Sequence, residues 1–226
     1  MYEQLEAVLG IHFQDSQLLQ LALTHRSYIY ETAGAGQSSN ERLEFLGDSI
    51  LALISADFLY HTFPQLTEGE LTDVRVALVR TETLANFARE MGLGNFLLVG
   101  KGEQNTSGGQ RVLACTFEAI LGAIYLDQGL VAAQNFVVPK LEPIAHVIIE
   151  KRLFKDNKSR FQELAQAQDG ITPAYRLVSQ EGPSHNRVFT VEVLLGDTVA
   201  GKGQGRNKQT AEQEAARAAM INRGWI

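Results

Sequence analysis

Apolar residues recur at helical spacing through the first two thirds of the chain and then switch to alternation. Leu5, Val8 and Leu9, followed by Leu18, Leu19, Leu21 and Leu23, give two amphipathic stripes over residues 2–10 and 16–24. From Leu43 to Leu59 the apolar positions are denser: Leu43, Phe45, Leu46, Ile50, Leu51, Leu53, Ile54, Phe58 and Leu59 surround almost the whole circumference of a helix. A helix of that kind sits in a core. Asn40 stands at its start, where a side-chain carbonyl can accept a free amide proton, and Pro64 marks its stop. Leu71, Val74, Leu78 and Val79 supply the stripe of the next helix, and Leu84, Phe87 and Ala88 that of one closed by Gly92. Residues 112–127 pack Phe117, Ile120, Leu121, Ile124, Tyr125 and Leu126 inward, and further helices complete residues 130–150. Nothing in residues 1–150 alternates, so that part reads as an all-α domain.

Residues 151–157 are charged and lack a period, and they read as a linker that lets the second part move. A helix over 158–168 with Phe161, Leu164 and Ala165 on one face follows. Three alternating segments come next, at 174–181, 188–195 and 198–205, with a Gly196-Asp197 turn between the last two. A helix from about Asn207 to Asn222, rich in Ala, Glu and Gln, ends the chain. Residues 158–226 are thus a small α+β domain of order α-β-β-β-α.

Charge divides along the same boundary. Residues 1–150 hold 8 basic and 18 acidic side chains, or −10; residues 151–226 hold 12 and 8, or +4. An acidic part suited to cations is joined to a basic part suited to a polyanion. The single cysteine, Cys115, cannot form an intramolecular disulfide, and the first residues lack the basic and apolar regions of a signal peptide. No run of about 18 uncharged apolar residues stands out. Together these features predict a cytoplasmic protein with no membrane span.

The most informative chemistry lies on the helix that follows Asn40. Glu41, Glu44 and Asp48 fall at i, i+3 and i+7, on one narrow stripe. Stacked like charges repel, and acids among apolar neighbours lose hydration. A hard cation such as Mg²⁺ removes both costs; a solvated acidic face is the plainer reading for an ordinary surface helix. Glu118 is a further acid among apolar residues. His25 reads as a histidine bridging helices through both ring nitrogens rather than as a catalytic group. The glycines of residues 100–110 lack the Lys-Ser/Thr spacing of a phosphate-cradling loop.

The run NERLEFLGDSIL at 40–51 closely resembles the signature of the ribonuclease III family, and Thr24-His25-Arg26-Ser27-Tyr28 is similar to its T-H-x-S-Y element. The α-β-β-β-α part resembles a double-stranded-RNA-binding domain. The resemblance implies a metal-dependent endoribonuclease of RNA processing, ribosomal RNA included, and of RNA turnover. It would act as a homodimer on double-stranded RNA and leave 5′-phosphates and short 3′ overhangs. It implies Glu44, Asp48 and Glu118 as catalytic metal ligands for Mg²⁺, with Mn²⁺ as substitute, Glu41 as a further catalytic-site acid, and Glu41 and Glu68 as supports of the acidic valley or dimer. It also implies RNA contacts through Gln162 and Glu163, through His185 in the loop 182–186, and through Arg206, Asn207 and Lys208. One position departs from the pattern. Leu113-Ala114-Cys115-Thr116-Phe117-Glu118 puts Cys115 where the family has Asp. A neutral thiol brings neither charge nor hard oxygen, so slower cleavage is expected, and a non-cleaving RNA binder is the alternative.

Overall fold

The computed structural model describes residues 2–32, 38–101, 109–151, 156–183 and 187–226. The chain divides into two compact units, Met1–Phe154 and Lys155–Ile226. Within the first, the described elements are α1 (Tyr2–Leu9), α2 (Ser16–Ala22), α3 (Arg26–Thr32), α4 (Glu41–Thr62), α5 (Glu68–Leu78), α6 (Thr81–Glu90), a 3₁₀ turn (Leu93–Asn95) and α7 (Gln110–Glu150). Among the described residues the only extended pairing in this unit is an isolated bridge between Thr24 and Leu98, so the unit is helical as expected.

Helices α4 and α7 form the spine. Leu43, Leu51, Ile54 and Leu59 of α4 bury against Phe117, Ile120, Leu121 and Ile124 of α7. The two backbones meet at glycines. A Cβ on Gly47 would overlap the Glu118 carbonyl, and one on Gly122 would overlap the Leu43 carbonyl. Gly129, at φ 83°, breaks α7 into two helical halves. Beside that break the Asp127 carboxylate accepts the backbone N–H groups of Gln14 and Asp15, both at 2.9 Å, which fixes the start of α2.

Several expectations need correction. Asn40 makes no side-chain cap; it is buried, and its Nδ2 donates to the Ala22 carbonyl at 3.2 Å, tying the start of α4 to the end of α2. Phe45 and Leu53 of α4 and Leu126 of α7 are not core residues but lie 77%, 53% and 53% exposed. α7 is long and apolar enough to pass for a membrane span by length and composition, yet Glu118, Asp127 and Lys140 interrupt it, so it holds no uncharged apolar run of about 18; 56% of its most apolar window is buried inside the protein, as in a core helix. The T-x-x-E signal at Thr67 and Glu70, not used above, forms a reciprocal capping box at the start of α5.

The second unit is α8 (Asn157–Asp169), the antiparallel sheet β1-β2-β3 (Ala174–Glu181, Val188–Leu195, Thr198–Gly205) and α9 (Lys208–Asn222). Asp156 caps α8 by accepting from Ser159 N. Val191, Val193 and Leu195 face a core shared with Phe161 and Ala165. Strand β3 alternates Gly201, Gly203 and Gly205 toward Ala211, Ala215 and Ala219 of α9, so closely that any Cβ on those glycines would strike helix backbone. Glycine facing alanine holds the junction between β3 and α9, and the side chains at that junction, in one place. Residues 152–155, counted above within the linker, lie outside the described residues.

Candidate metal centre and RNA-binding surface

Because α4 and α7 cross at Gly47 and Gly122, the acid stripe of α4 lies against the Cys115–Glu118 turn of α7. Between them is a cavity of about 570 Å³ whose lining includes Glu41, Glu44, Asp48, Cys115, Glu118, Arg26 and Arg111, together with His25 and Asn40. One ligand atom each from Glu44, Cys115 and Glu118 lies within 4.8 Å of the others. The sequence stripe and the resemblance therefore converge in space on Glu44, Asp48, Glu118 and Cys115.

Other sequence candidates sit differently. Glu41 lines the cavity, but its carboxylate is engaged by Arg26 at 3.5 Å and by the Ser39 hydroxyl at 2.8 Å. Glu68 does not line it; it opens α5 and accepts from the Thr72 hydroxyl at 3.5 Å. Among the described residues His25 does not bridge helices through its ring nitrogens. Its Nδ1 meets the Ser27 hydroxyl at 2.8 Å and accepts from Ser27 N at 3.3 Å, a local arrangement at the start of α3. Sequence reasoning missed Arg26 and Arg111. For Arg111 a signal was present: it stands four residues before Cys115 and seven before Glu118, on the same helix face.

The electrostatics follow from crowding. Burial first, then the carboxylates of Asp48 and Glu44, push the Glu118 carboxyl up to about 7. Burial, a hydrogen bond to Glu44 and the charges of Glu44 and Glu118 push the Cys115 thiol up to about 12, against a smaller opposite effect of Arg111. Cys115 is thus a neutral thiol beside the Glu44 and Glu118 carboxyls. The donor set fits a hard divalent cation at Glu44, Asp48 and Glu118, which together offer carboxylate oxygens on one cavity. At Cys115 it does not fit, since that position offers sulfur.

In the second unit Gln162 and Glu163 are exposed on α8, and Arg206, Asn207 and Lys208 are exposed at the start of α9. Asn207 is partly committed: its Oδ1 accepts from Thr210 N at 2.8 Å and caps α9. His185 and its neighbours Ser184 and Asn186 lie outside the described residues, as do residues 102–108 of the glycine-containing loop considered above.

Residues 15–144 match the model of the Ribonuclease-III-like family, and residues 157–222 match that of the double-stranded RNA binding motif. The chain is 44% identical over 215 residues to "Ribonuclease 3" of Pelotomaculum thermopropionicum, covering 94% of this chain and 89% of that protein. The chain belongs to the ribonuclease III family. It is 45% identical over 222 residues to "Ribonuclease 3" of Roseiflexus sp., covering 96% and 94% of the two chains. Among solved structures it resembles a nuclease domain of Campylobacter jejuni ribonuclease III described for flexibility in a region involved in dimer formation. There the TM-score is 0.58 at 36% identity, covering 63% of this chain and 97% of that one. Membership in ribonuclease III makes the chain an endoribonuclease of a metal-dependent family, carrying a double-stranded-RNA-binding module.

Proposed function

We propose that this ribonuclease III cleaves double-stranded RNA in the cytoplasm as a homodimer, with Mg²⁺ as its working cation and Mn²⁺ as a substitute. Its products are 5′-phosphates and short 3′ overhangs. The observation that carries this reading is the convergence of Glu44, Asp48 and Glu118 from two helices on one cavity. A divalent cation held by these carboxylates supplies the positive charge that activates water and offsets charge developing on the phosphodiester. Arg26 and Arg111 at the cavity draw in a phosphate that the carboxylates alone would repel. Without a cation, burial and the neighbouring carboxylates push the Glu118 carboxyl up to about 7, and a divalent cation held there would release its proton. Glu41 holds Arg26 in place. Glu68 supports the acidic valley from a second copy of the chain. Cys115 removes one oxygen and one charge from the set, so cleavage with Mg²⁺ is slow. The same residue favours a second reading, a protein that holds duplex RNA without cutting it.

The dimer reading rests on α4, which turns Phe45, Leu53 and Tyr60 outward along one face at 77%, 53% and 68% exposure. Beside Phe45 a cavity of about 670 Å³ is lined by Leu18, Leu21, Leu46 and Leu126. An exposed apolar face of this kind suits two-fold pairing with a second copy. The second unit supplies the RNA grip. Gln162 and Glu163 suit the hydroxyl-lined minor groove, with His185 in the next one, and Arg206 and Lys208 suit phosphates across the major groove.

The test is cleavage of a labelled RNA duplex with Mg²⁺ and then Mn²⁺, by the protein, Cys115→Asp and Glu118→Gln. The proposal expects slow cutting by the protein, faster cutting by Cys115→Asp and none by Glu118→Gln. Binding without cutting by the protein, together with cutting by Cys115→Asp, would establish the second reading. Unchanged cutting by Glu118→Gln would place the chemistry elsewhere.

A further inference from the structure

We propose that Glu44, Cys115 and Glu118 bind a thiophilic divalent cation of the zinc class, with the Cys115 sulfur as a ligand, in preference to Mg²⁺. The inference rests on the reading of this cavity as a cation centre and concerns which cation it selects. The three ligand atoms already lie within 4.8 Å of one another. A four-coordinate ion with metal–sulfur bonds of about 2.3 Å and metal–oxygen bonds of about 2.1 Å sets its ligand atoms roughly 3.5 Å apart. Closing from one spacing to the other takes side-chain adjustment only, because Cys115 and Glu118 share one turn of α7 and the close crossing at Gly47 and Gly122 fixes Glu44 opposite them.

The donor set also discriminates. Mg²⁺ asks for a near-octahedral shell of hard oxygens. Two carboxylates and one sulfur, with a fourth position open to water from the cavity, match the borderline ions, which also stand higher in the general order of affinity. On binding, the Cys115 S–H bond breaks and its proton passes to solvent. The electron pair left on sulfur forms the bond to the metal, and no electron is transferred. The two negative carboxylates that disfavour a free thiolate are matched by the charge of the ion. Zinc-class ions therefore compete with Mg²⁺ for the site, and this ribonuclease III is inhibited by low concentrations of them.

The experiment is titration of Co²⁺ into the full chain, followed by its absorption spectrum. Expected is a near-ultraviolet sulfur-to-cobalt band that saturates at one ion per chain, that Zn²⁺ displaces, and that a hundredfold excess of Mg²⁺ leaves in place. In Cys115→Ser the band disappears and Zn²⁺ affinity falls by about tenfold or more; Cys115→Ala serves if circular dichroism shows the serine variant misfolded. Cobalt bound without the band, or a band that Mg²⁺ removes as readily as Zn²⁺ does, overturns the proposal. Cleavage by Cys115→Asp with Mg²⁺ is measured in parallel. Cutting by that variant with no band in the parent chain refutes sulfur ligation and keeps the nuclease reading. A band without cutting by either chain does the reverse.

Discussion

Gly47 of α4 lies directly on the carbonyl of Glu118, with no room for a Cβ between them. This one approach sets how far the Glu44–Asp48 stripe stands from Cys115 and Glu118. Alanine is the better helix former by about 1 kcal/mol, so Gly47→Ala would stabilise an uncrowded helix. Here the overlap is with backbone, which cannot swing aside, and overpacking of that kind costs about 1–3 kcal/mol or more. We expect Gly47→Ala and Gly122→Ala to lower thermal stability and to weaken cation binding. Gly69, in the first turn of α5, has open space where a Cβ would stand, with nothing within 4 Å. Gly69→Ala should leave stability unchanged or raise it by a few tenths of a kcal/mol. Equal effects at all three positions in calorimetry would refute the crossing as the device that shapes the site.

The Glu118 carboxyl gives the protein a pH dependence of definite sign. Its value is raised from 4.5 to about 7 in the folded chain. The protonated form is therefore favoured by folding. That contribution is complete below about pH 4.5 and is lost as pH rises through about 7. Discounted for solvent screening, the loss is on the order of 1–2 kcal/mol. Metal-free protein should thus lose stability between about pH 4.5 and pH 7, and Glu118→Gln should flatten that part of the profile. Cation affinity should move the opposite way, rising through pH 7 with release of a proton from Glu118. Calorimetric titrations in two buffers of different ionisation enthalpy would reveal that proton; its absence would refute the assignment.

Particular residues show how much of this was legible in the sequence. The strands of the second unit were, because Val191, Val193 and Leu195 alternate toward one side and strand period admits few alternatives. The acid stripe was legible as a stripe, but its partners on α7 came only through resemblance, since no local pattern brings Glu44 beside Cys115. Phe45 and Leu53 were misread as core because hydrophobicity alone does not distinguish an interior from a surface awaiting a partner. Asn40 was placed correctly at a helix start and given the wrong bond. Its amide meets the Ala22 carbonyl, a tertiary contact that capping preference cannot anticipate.

The exposed face of α4 yields a test of assembly. Phe45 is 77% exposed in the single chain. Truncating it should cost the isolated protomer under about 0.5 kcal/mol, as at most surface positions. In a two-fold dimer the ring is buried twice, and each burial contributes about 1.5–3 kcal/mol. Phe45→Ala should therefore weaken the dimer by roughly a hundredfold or more while circular dichroism stays unchanged. Sedimentation across a concentration range measures this. A dissociation constant equal to that of the parent would move the interface off this face.

At the start of α9, adjacent residues should separate cleanly by experiment. Arg206 and Lys208 are exposed cations, whereas Asn207 uses its Oδ1 to cap the helix through Thr210 N at 2.8 Å. A phosphate contact is felt as counterion release, so each cation removed should lower the slope of log affinity against log salt by about 0.9. Arg206→Ala with Lys208→Ala should therefore reduce the slope by about 2 and weaken binding alike for duplexes of any sequence. Asn207→Ala should leave the slope unaltered and instead cost about 1 kcal/mol of stability in the second unit, the usual penalty for a lost cap. Gln162→Ala on α8 removes a neutral group suited to minor-groove hydroxyls, so it should lower affinity without changing the slope. The decisive comparison is the salt dependence of duplex binding in Ca²⁺ for these variants. A reduced slope for Gln162→Ala, or an unreduced one for the double variant, would mean that the second unit meets RNA by another face.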